Sequence, residues 1–115
     1  MSLTKEMVLE EMKKGAWVVN VLEEAAFEDL HIKDSINISL KGKSDDEFAA
    51  EVDRKLGGSK MIITHCSGPT CTLGPKAAVI LKARGFQAED YPGGIEEWAQ
   101  AGFPVAGKKT AVFAG

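Results

Sequence analysis

Short apolar runs alternate with helix-forming segments along the chain, and this alternation constrains the fold more than any other feature of the sequence. The runs cover residues 17–21, 60–65 and 87–91. Strands that alternate with helices form βαβ units, in which the strands are parallel and the helices pack on the sheet. We therefore predict an α/β domain with a mainly parallel central sheet and helices on both faces.

Residues that cap or stop helices set the expected helix limits. Five segments are predicted to be helical: 5–14, 23–29, 45–56, 75–84 and 95–99. Ser44 and Glu47 have the spacing of a capping box, and Pro75 is expected near the start of its helix. Residues 31–40 are predicted to be mostly extended or loop.

Charge and composition exclude several classes of partner. The 115-residue chain has a net charge of -3 and scattered Lys and Arg residues, so we expect no nucleic-acid partner. No apolar stretch approaches the roughly 20 residues that span a bilayer, and residues 1–6 resemble no signal segment. Two cysteines and two histidines without paired spacing predict no metal site, and no cofactor is implied. We expect a cytoplasmic protein whose cysteines are reduced.

Cys66 is the strongest candidate for a reactive group. It follows the apolar run 60–65 and precedes a loop of small residues and a helix. A thiol at such a strand end faces loop N–H groups and the positive end of the helix dipole, which stabilise anions. The thiolate is the reactive form, so we predict that Cys66 is a nucleophile and that the loop binds its anion. The loop residues are Ser67, Gly68, Pro69, Thr70, Cys71 and Thr72.

Three segments, in this order, resemble those of the rhodanese-like domain family. The first is VVNVL at 18–22 with HIKDSINI at 31–38, which is similar to the family's strand ending in Asp-Val-Arg and its Gly-His-Ile-x-Gly-Ala-x-Asn-Ile stretch. The second is the Cys66 loop with the helix after it. The third, YPGGIEEW at 91–98 with GFPV at 102–105, is similar to the family's Gly-Gly-x-x-x-Trp-x-x-x-Gly-x-Pro ending.

The resemblance covers residues 3–106, which we expect to form one rhodanese-like domain, with 107–115 as a carboxyl-terminal tail. It implies sulfur transfer, in which Cys66 attacks a sulfane-sulfur donor, becomes a persulfide and passes the outer sulfur to a thiophilic acceptor. The implied donor is a small sulfane-sulfur compound or a protein persulfide. The implied acceptor is cyanide, a thiol or a protein.

The sequence also departs from the family pattern. Cys71 stands where the family usually has an arginine, and residues 67–75 contain no cation. We therefore expect a donor less charged than the thiosulfate dianion, such as a polysulfide, glutathione persulfide or a protein persulfide. The pair at 77–78 lies two residues further from Cys66 than is common, which predicts a longer loop. Other departures are Asn20 and Leu22, where the family often has Asp and Arg, and Leu30 and Asp34, where it often has Gly.

Cys71 leaves two interpretations open. It is either a packing residue or a resolving thiol, because a curled loop could bring it within disulfide range of Cys66. One alternative to sulfur transfer is therefore a thiol redox module that uses both cysteines. A second, left open by the departures at Asn20 and Leu22, is a non-catalytic module that binds a partner. A phosphatase or arsenate reductase on the same fold is disfavoured, since Thr72 stands where those relatives carry an arginine.

The two histidines are assigned structural roles. His65 is expected to point away from Cys66, because side chains alternate along a strand, and to be a structural or surface residue. His31 is expected to bond to the backbone and fix its loop.

Overall fold

A four-stranded parallel sheet forms the centre of the computed structural model, which describes residues 3–109. The strands are β1 Trp17–Asn20, β2 His31–Ile32, β3 Ile36–Asn37, β4 Ile62–His65, β5 Ala88–Asp90 and β6 Val105–Ala106. The helices are α1 Lys5–Lys13, α2 Glu24–Asp29, α3 Asp45–Leu56, α4 Leu73–Ala83 and α5 Gly94–Gln100. The central strands lie in the order β3-β1-β4-β5, whereas β2 and β6 form a separate antiparallel pair. The predicted α/β class with a parallel sheet is confirmed.

The strand order reverses in the middle of the sheet. The chain proceeds outward from β1 to β3 on one side and from β4 to β5 on the other. Ligands of open α/β sheets bind beyond the carboxyl ends of the strands at such a reversal. Asn20 and His65 are paired across β1 and β4 at this edge, and Cys66 is the next residue.

Local signals in the sequence account for the helix starts. The capping box of α3 is present, since the Ser44 N–H donates to Glu47 Oε1 at 2.9 Å and the Glu47 N–H donates to Ser44 Oγ at 3.1 Å. The helix α4 begins at Leu73, two residues earlier than expected. Pro75 is its third residue, which is permitted because N–H groups of the first turn have no partner within a helix.

Each face of the sheet packs on a different pair of helices. Val19 and Ile62 belong to a core cluster that includes residues of α3 and α4, whereas Val18 and Ile63 belong to a second cluster with residues of α1 and α5. This division follows from the alternation of side chains along a strand. Cys66 lies in the first cluster, so the candidate nucleophile is packed into the core rather than displayed on the surface.

The first residues of the expected tail pair with the end of α2. The Lys108 N–H donates to Glu28 O at 2.9 Å, and the Lys109 N–H donates to Asp29 O at 2.8 Å. The apolar tail residues Val112 and Phe113 lie outside the described residues. Within residues 3–109, no helix has the length and apolar character needed to cross a membrane.

Candidate active site

The two cysteines lie together in the loop between β4 and α4, here called the cysteine loop, residues 66–72. Cys66 is only 3% exposed, and it is disulfide-bonded to Cys71 with the Cα atoms 6.3 Å apart. The loop is curled by a turn in which the Cys71 N–H donates to Gly68 O at 3.1 Å. The expectation that a curled loop brings Cys71 within disulfide range of Cys66 therefore matches the observed geometry.

The start of α4 faces the sulfur of Cys66. The Gly74 N–H, in the first turn of α4, donates to Cys66 Sγ at 3.4 Å. This N–H is one of those that a helix leaves unpaired at its amino end, where the helix dipole is positive. An anion on Cys66 is therefore stabilised by a directed hydrogen bond and by the dipole together.

The start of α5 holds the other side of the cysteine loop. The Ile95 N–H donates to Cys66 O at 3.2 Å, and the Glu96 N–H donates to Ser67 O at 3.0 Å. The C=O and N–H groups of a trans peptide point in opposite directions. Because α5 binds these two carbonyls, the N–H groups of Ser67 and Gly68 point away from α5. Within residues 3–109 neither N–H has an acceptor in the protein.

Gly94 permits the close approach of α5 to the cysteine loop. Its φ is +63°, and a Cβ atom there would lie 2.5 Å from Cys66 O and 2.7 Å from the Ser67 carbonyl carbon. Only glycine has both the left-handed backbone and the space at this position. The Gly-Gly pair of the sequence thus supplies the contact on which the orientation of the loop depends.

The remaining loop residues differ in accessibility. Gly68 is buried and Ser67 is partly buried, whereas Pro69, Thr70 and Thr72 are exposed. Thr72 occupies the N-cap position of α4 without a side-chain capping bond. The structure thus brings Cys66, Ser67, Gly68 and Cys71 together and leaves the exposed threonines at the surface of the loop.

His65 is wholly buried, so the structural alternative holds and the surface alternative is wrong. Its Nδ1–H donates to Cys66 O at 3.0 Å, so that carbonyl accepts from both His65 and Ile95. Burial lowers the pKa of His65 to about 4. Its Nε2 atom has no hydrogen-bond partner among the described residues. The ring is therefore held neutral, and it positions the peptide that follows it.

His31 fixes its segment through the backbone, as expected. Its Nδ1 is 2.7 Å from Phe27 O, and its ring stacks on Phe27 with the centroids 3.8 Å apart. Asn20 also has a structural role, because its Oδ1 accepts from the Leu22 N–H at 2.9 Å. Asn20, which departs from the family pattern, therefore stabilises the turn after β1.

A polar chain behind α4 was not anticipated from the sequence. Thr64 Oγ1 is 2.8 Å from Gly74 O and 3.1 Å from Asp90 Oδ1. Since the hydroxyl has one proton, both contacts are hydrogen bonds only when Asp90 is protonated. Burial raises the pKa of Asp90 to about 6, against the opposing effect of its bond to Thr64. The same Gly74 thus bonds to Cys66 on one side and to Thr64 on the other.

Three carboxylates lie near the cysteine loop, on the side of Gly68 and Pro69. The Glu96 carboxylate lies beside Gly68, so close that a Cβ there would overlap it. A surface depression of about 330 Å³ next to Pro69 is lined by Glu6 and Glu97 as well as Lys5. Lys5 is paired with Glu6 at 3.5 Å. The approach to the loop is therefore acidic.

Comparison with known proteins identifies the fold and the family. The family model described as Rhodanese-like domain matches residues 4–101. A Bacillus halodurans protein of known structure is 30% identical with a TM-score of 0.76, over 92% of this chain and 74% of its own. A rhodanese-related protein from Thermoplasma volcanium is 25% identical with a TM-score of 0.70, over 91% of this chain and 96% of its own.

A more distant structure shows the same fold. The rhodanese-like domain of an Anabaena protein has a TM-score of 0.76 at 17% identity, over 94% of this chain and 80% of its own. No curated protein matches the chain.

Proposed function

The chain belongs to the rhodanese-like domain family, and on this premise we propose that it is a sulfurtransferase that carries sulfane sulfur as a persulfide on Cys66. The observation that carries the proposal is the Gly74 N–H aimed at Cys66 Sγ from the start of α4. The thiolate and the persulfide are both anions, so the same donor favours each stage of the reaction.

The cysteine loop adds further donors for the outer sulfur. A persulfide extends one atom beyond Sγ, and the N–H groups of Ser67 and Gly68 have no acceptor in the described chain. The bonds from Ile95 and Glu96 fix these peptides in advance, so the donors need little reorganisation when charge moves to the outer sulfur. The same arrangement fits any monoanionic sulfur species of this size.

The reaction has two steps. The Cys66 thiolate attacks the outer sulfur of a donor, the donor's sulfur–sulfur bond breaks, and the donor leaves as a thiolate or sulfite. The Cys66 persulfide then loses its outer sulfur to an acceptor such as cyanide, a thiol or a protein, and the thiolate is regenerated. The cycle requires reduced cysteines, so we infer that the protein acts in a reducing compartment such as the cytoplasm.

Charge favours a donor other than thiosulfate. Residues 67–75 contain no cation, and Glu96 lies beside Gly68. A dianion near a carboxylate is repelled, whereas the sulfur chain of a persulfide or a hydropolysulfide carries a single negative charge. We propose glutathione persulfide, polysulfide or a protein persulfide as the donor class.

The proposal is tested by thiocyanate formation from cyanide with the reduced protein. We expect turnover with glutathione persulfide at a kcat/KM at least about tenfold above that with thiosulfate. Cys66→Ser should reduce both kcat/KM values to the background rate. Val79→Ala, a change at an exposed position of α4 outside the cysteine loop, should leave them within about twofold.

Two results would contradict the proposal. Retention of the wild-type rate by Cys66→Ser would exclude Cys66 as the carrier. A reduced wild-type protein that is no faster than buffer with every donor would favour a partner-binding module of the same family.

A further inference from the structure

We propose that Cys71 resolves the Cys66 persulfide, so that the protein releases the carried sulfur as hydrosulfide when no acceptor takes it. The inference rests on the proposed function, since it requires the Cys66 persulfide as its starting state. It assigns to this chain a second activity, the reduction of persulfides and polysulfides at the expense of a dithiol.

The position of Cys71 determines which sulfur it reaches. Its Sγ is bonded to Cys66 Sγ, which is the inner sulfur of the persulfide. Cys66 is 3% exposed, so that inner sulfur is shielded from external thiols. An acceptor from solution therefore meets the outer sulfur, whereas Cys71, from within the same loop, reaches the inner one.

The short, curled loop keeps the two cysteines close together. The cysteines are five residues apart, and the turn from the Cys71 N–H to Gly68 O holds the loop in its curled form. A thiol held in this way reacts as at a very high effective concentration. The Cα separation of 6.3 Å lies in the usual range for a disulfide, so the product fits this curled loop.

The step balances without a further oxidant. The Cys71 thiolate attacks Cys66 Sγ, a new Cys66–Cys71 bond forms, and the bond between the inner and outer sulfurs breaks. The outer sulfur leaves with the electron pair, takes up the proton that the Cys71 thiol gave up when it became the attacking thiolate, and departs as hydrosulfide. The disulfide so formed is the state that the structure describes. A dithiol from solution then reduces it to two thiols and becomes a disulfide itself.

The chemistry of the loop favours this route over simple storage of the persulfide. The family's usual loop arginine would bind the anion, but this chain has Cys71 in that place. Cys71 supplies no positive charge, so the persulfide anion lacks the cationic partner of the family pattern and lies beside the nucleophile that removes its outer sulfur.

A single-turnover experiment tests the inference. The protein is reduced, separated from the added reductant, and mixed with one equivalent of glutathione persulfide under anaerobic conditions. Hydrosulfide is trapped with a bimane reagent, and the alkylated protein is weighed intact. We expect wild-type protein to release about one equivalent, with loss of two hydrogens from the protein, at least about tenfold faster than Cys71→Ser.

Cys71→Ser separates this inference from the proposed function. It should retain one added sulfur on Cys66, and it should still form thiocyanate from cyanide. If Cys71→Ser never gains sulfur, the proposed function itself fails. If Cys71→Ser holds the persulfide but wild-type protein holds it equally long, or the added sulfur moves to Cys71, the resolving role is overturned.

Discussion

Two helices begin at the carboxyl edge of the same sheet, and they use their unpaired N–H groups in different ways. At the start of α5, the N–H groups of Ile95 and Glu96 donate to the main-chain oxygens of Cys66 and Ser67. At the start of α4, the N–H of Gly74 donates to the sulfur of Cys66. Both helix starts have a positive dipole end and N–H groups without a partner inside the helix, although Pro75 removes one such donor from α4.

The difference shows that a helix dipole alone does not make an anion site. What matters is whether the first N–H groups are already bonded to the protein. The N–H groups of α5 are already bonded to loop carbonyls, so α5 holds the cysteine loop in place and orients its peptide groups. The N–H of Gly74, at the start of α4, donates instead to the Cys66 side chain, which can carry a negative charge. The proposed chemistry therefore depends on α4. Four variants probe this division.

The largest effect is expected when α5 can no longer approach the loop. In Gly94→Ala, the new Cβ would meet Cys66 O at 2.5 Å and the backbone would be forced to keep a φ of +63°. We expect the reduced protein to lose about 3 kcal/mol or more of unfolding free energy in urea, because left-handed strain and a backbone clash add. Sulfur transfer should fall at least about tenfold as the loop peptides lose their orientation.

Gly102→Ala is the matched control for Gly94→Ala. Its φ of +78° imposes the same kind of strain, but a Cβ there has nothing within 4 Å. Gly102→Ala should lose only about 1 kcal/mol of unfolding free energy and keep its sulfur-transfer activity. Equal losses in the two variants would show that the contact between α5 and the loop contributes nothing.

The next largest effect is expected at the second donor to Cys66 O. His65→Asn should lose about 2 kcal/mol of unfolding free energy at pH 7, because a buried ring is replaced by a smaller side chain. The pKa of His65 is lowered to about 4, so its neutral form supports the fold above pH 6.5 and that support is lost as the pH falls toward 4. The variant's deficit should therefore shrink between pH 7 and pH 4.5 in urea titrations, and a constant deficit would refute the assignment of a buried neutral ring.

A cation in the cysteine loop tests whether charge near the start of α4 selects the sulfur donor. Cys71→Arg places a positive charge where the loop now has none. We expect the ratio of kcat/KM for thiosulfate to that for glutathione persulfide to rise about tenfold relative to Cys71→Gln, which removes the same thiol without adding charge. An unchanged ratio would mean that charge at this position does not select the donor.

The smallest effect is expected behind the start of α4. The pKa of Asp90 is raised to about 6, so ionisation of Asp90 weakens the native state as the pH rises from about 4 to about 6. In Asp90→Asn, the amide donates to Thr64 at every pH. The unfolding free energy of the variant relative to the wild type should therefore rise by about 1 kcal/mol from pH 4 to pH 7. A gain that does not depend on pH would exclude the protonated carboxyl in this chain of bonds.

The sequence predicted those parts of the molecule that depend on local signals. The capping box at Ser44, the apolar runs that became β1 and β4, and the position of Cys66 after β4 could all be predicted from neighbouring residues. The resemblance to a family added the order of the segments. Each of these features is specified within a few residues of the chain.

The contacts that reach the cysteine loop and β4 from distant parts of the chain are not local, and they were not predicted. The bond from Ile95 to Cys66 O joins residues from two different strand-to-helix connections, and Asp90 meets Thr64 across neighbouring strands. A polar residue in a strand carries no signal of which helix its side chain will face. The burial of His65 has the same origin, since it depends on what packs over β4.

The most direct measurement is the intact mass of the reduced protein after brief exposure to glutathione persulfide, for the wild type, Cys66→Ser, Cys71→Ser and the double variant. We expect one added sulfur atom in Cys71→Ser, none in either variant that lacks Cys66, and conversion of the wild type to its disulfide with release of hydrosulfide. One added sulfur in Cys66→Ser, or none in Cys71→Ser, would contradict the claim that Cys66 carries the sulfur.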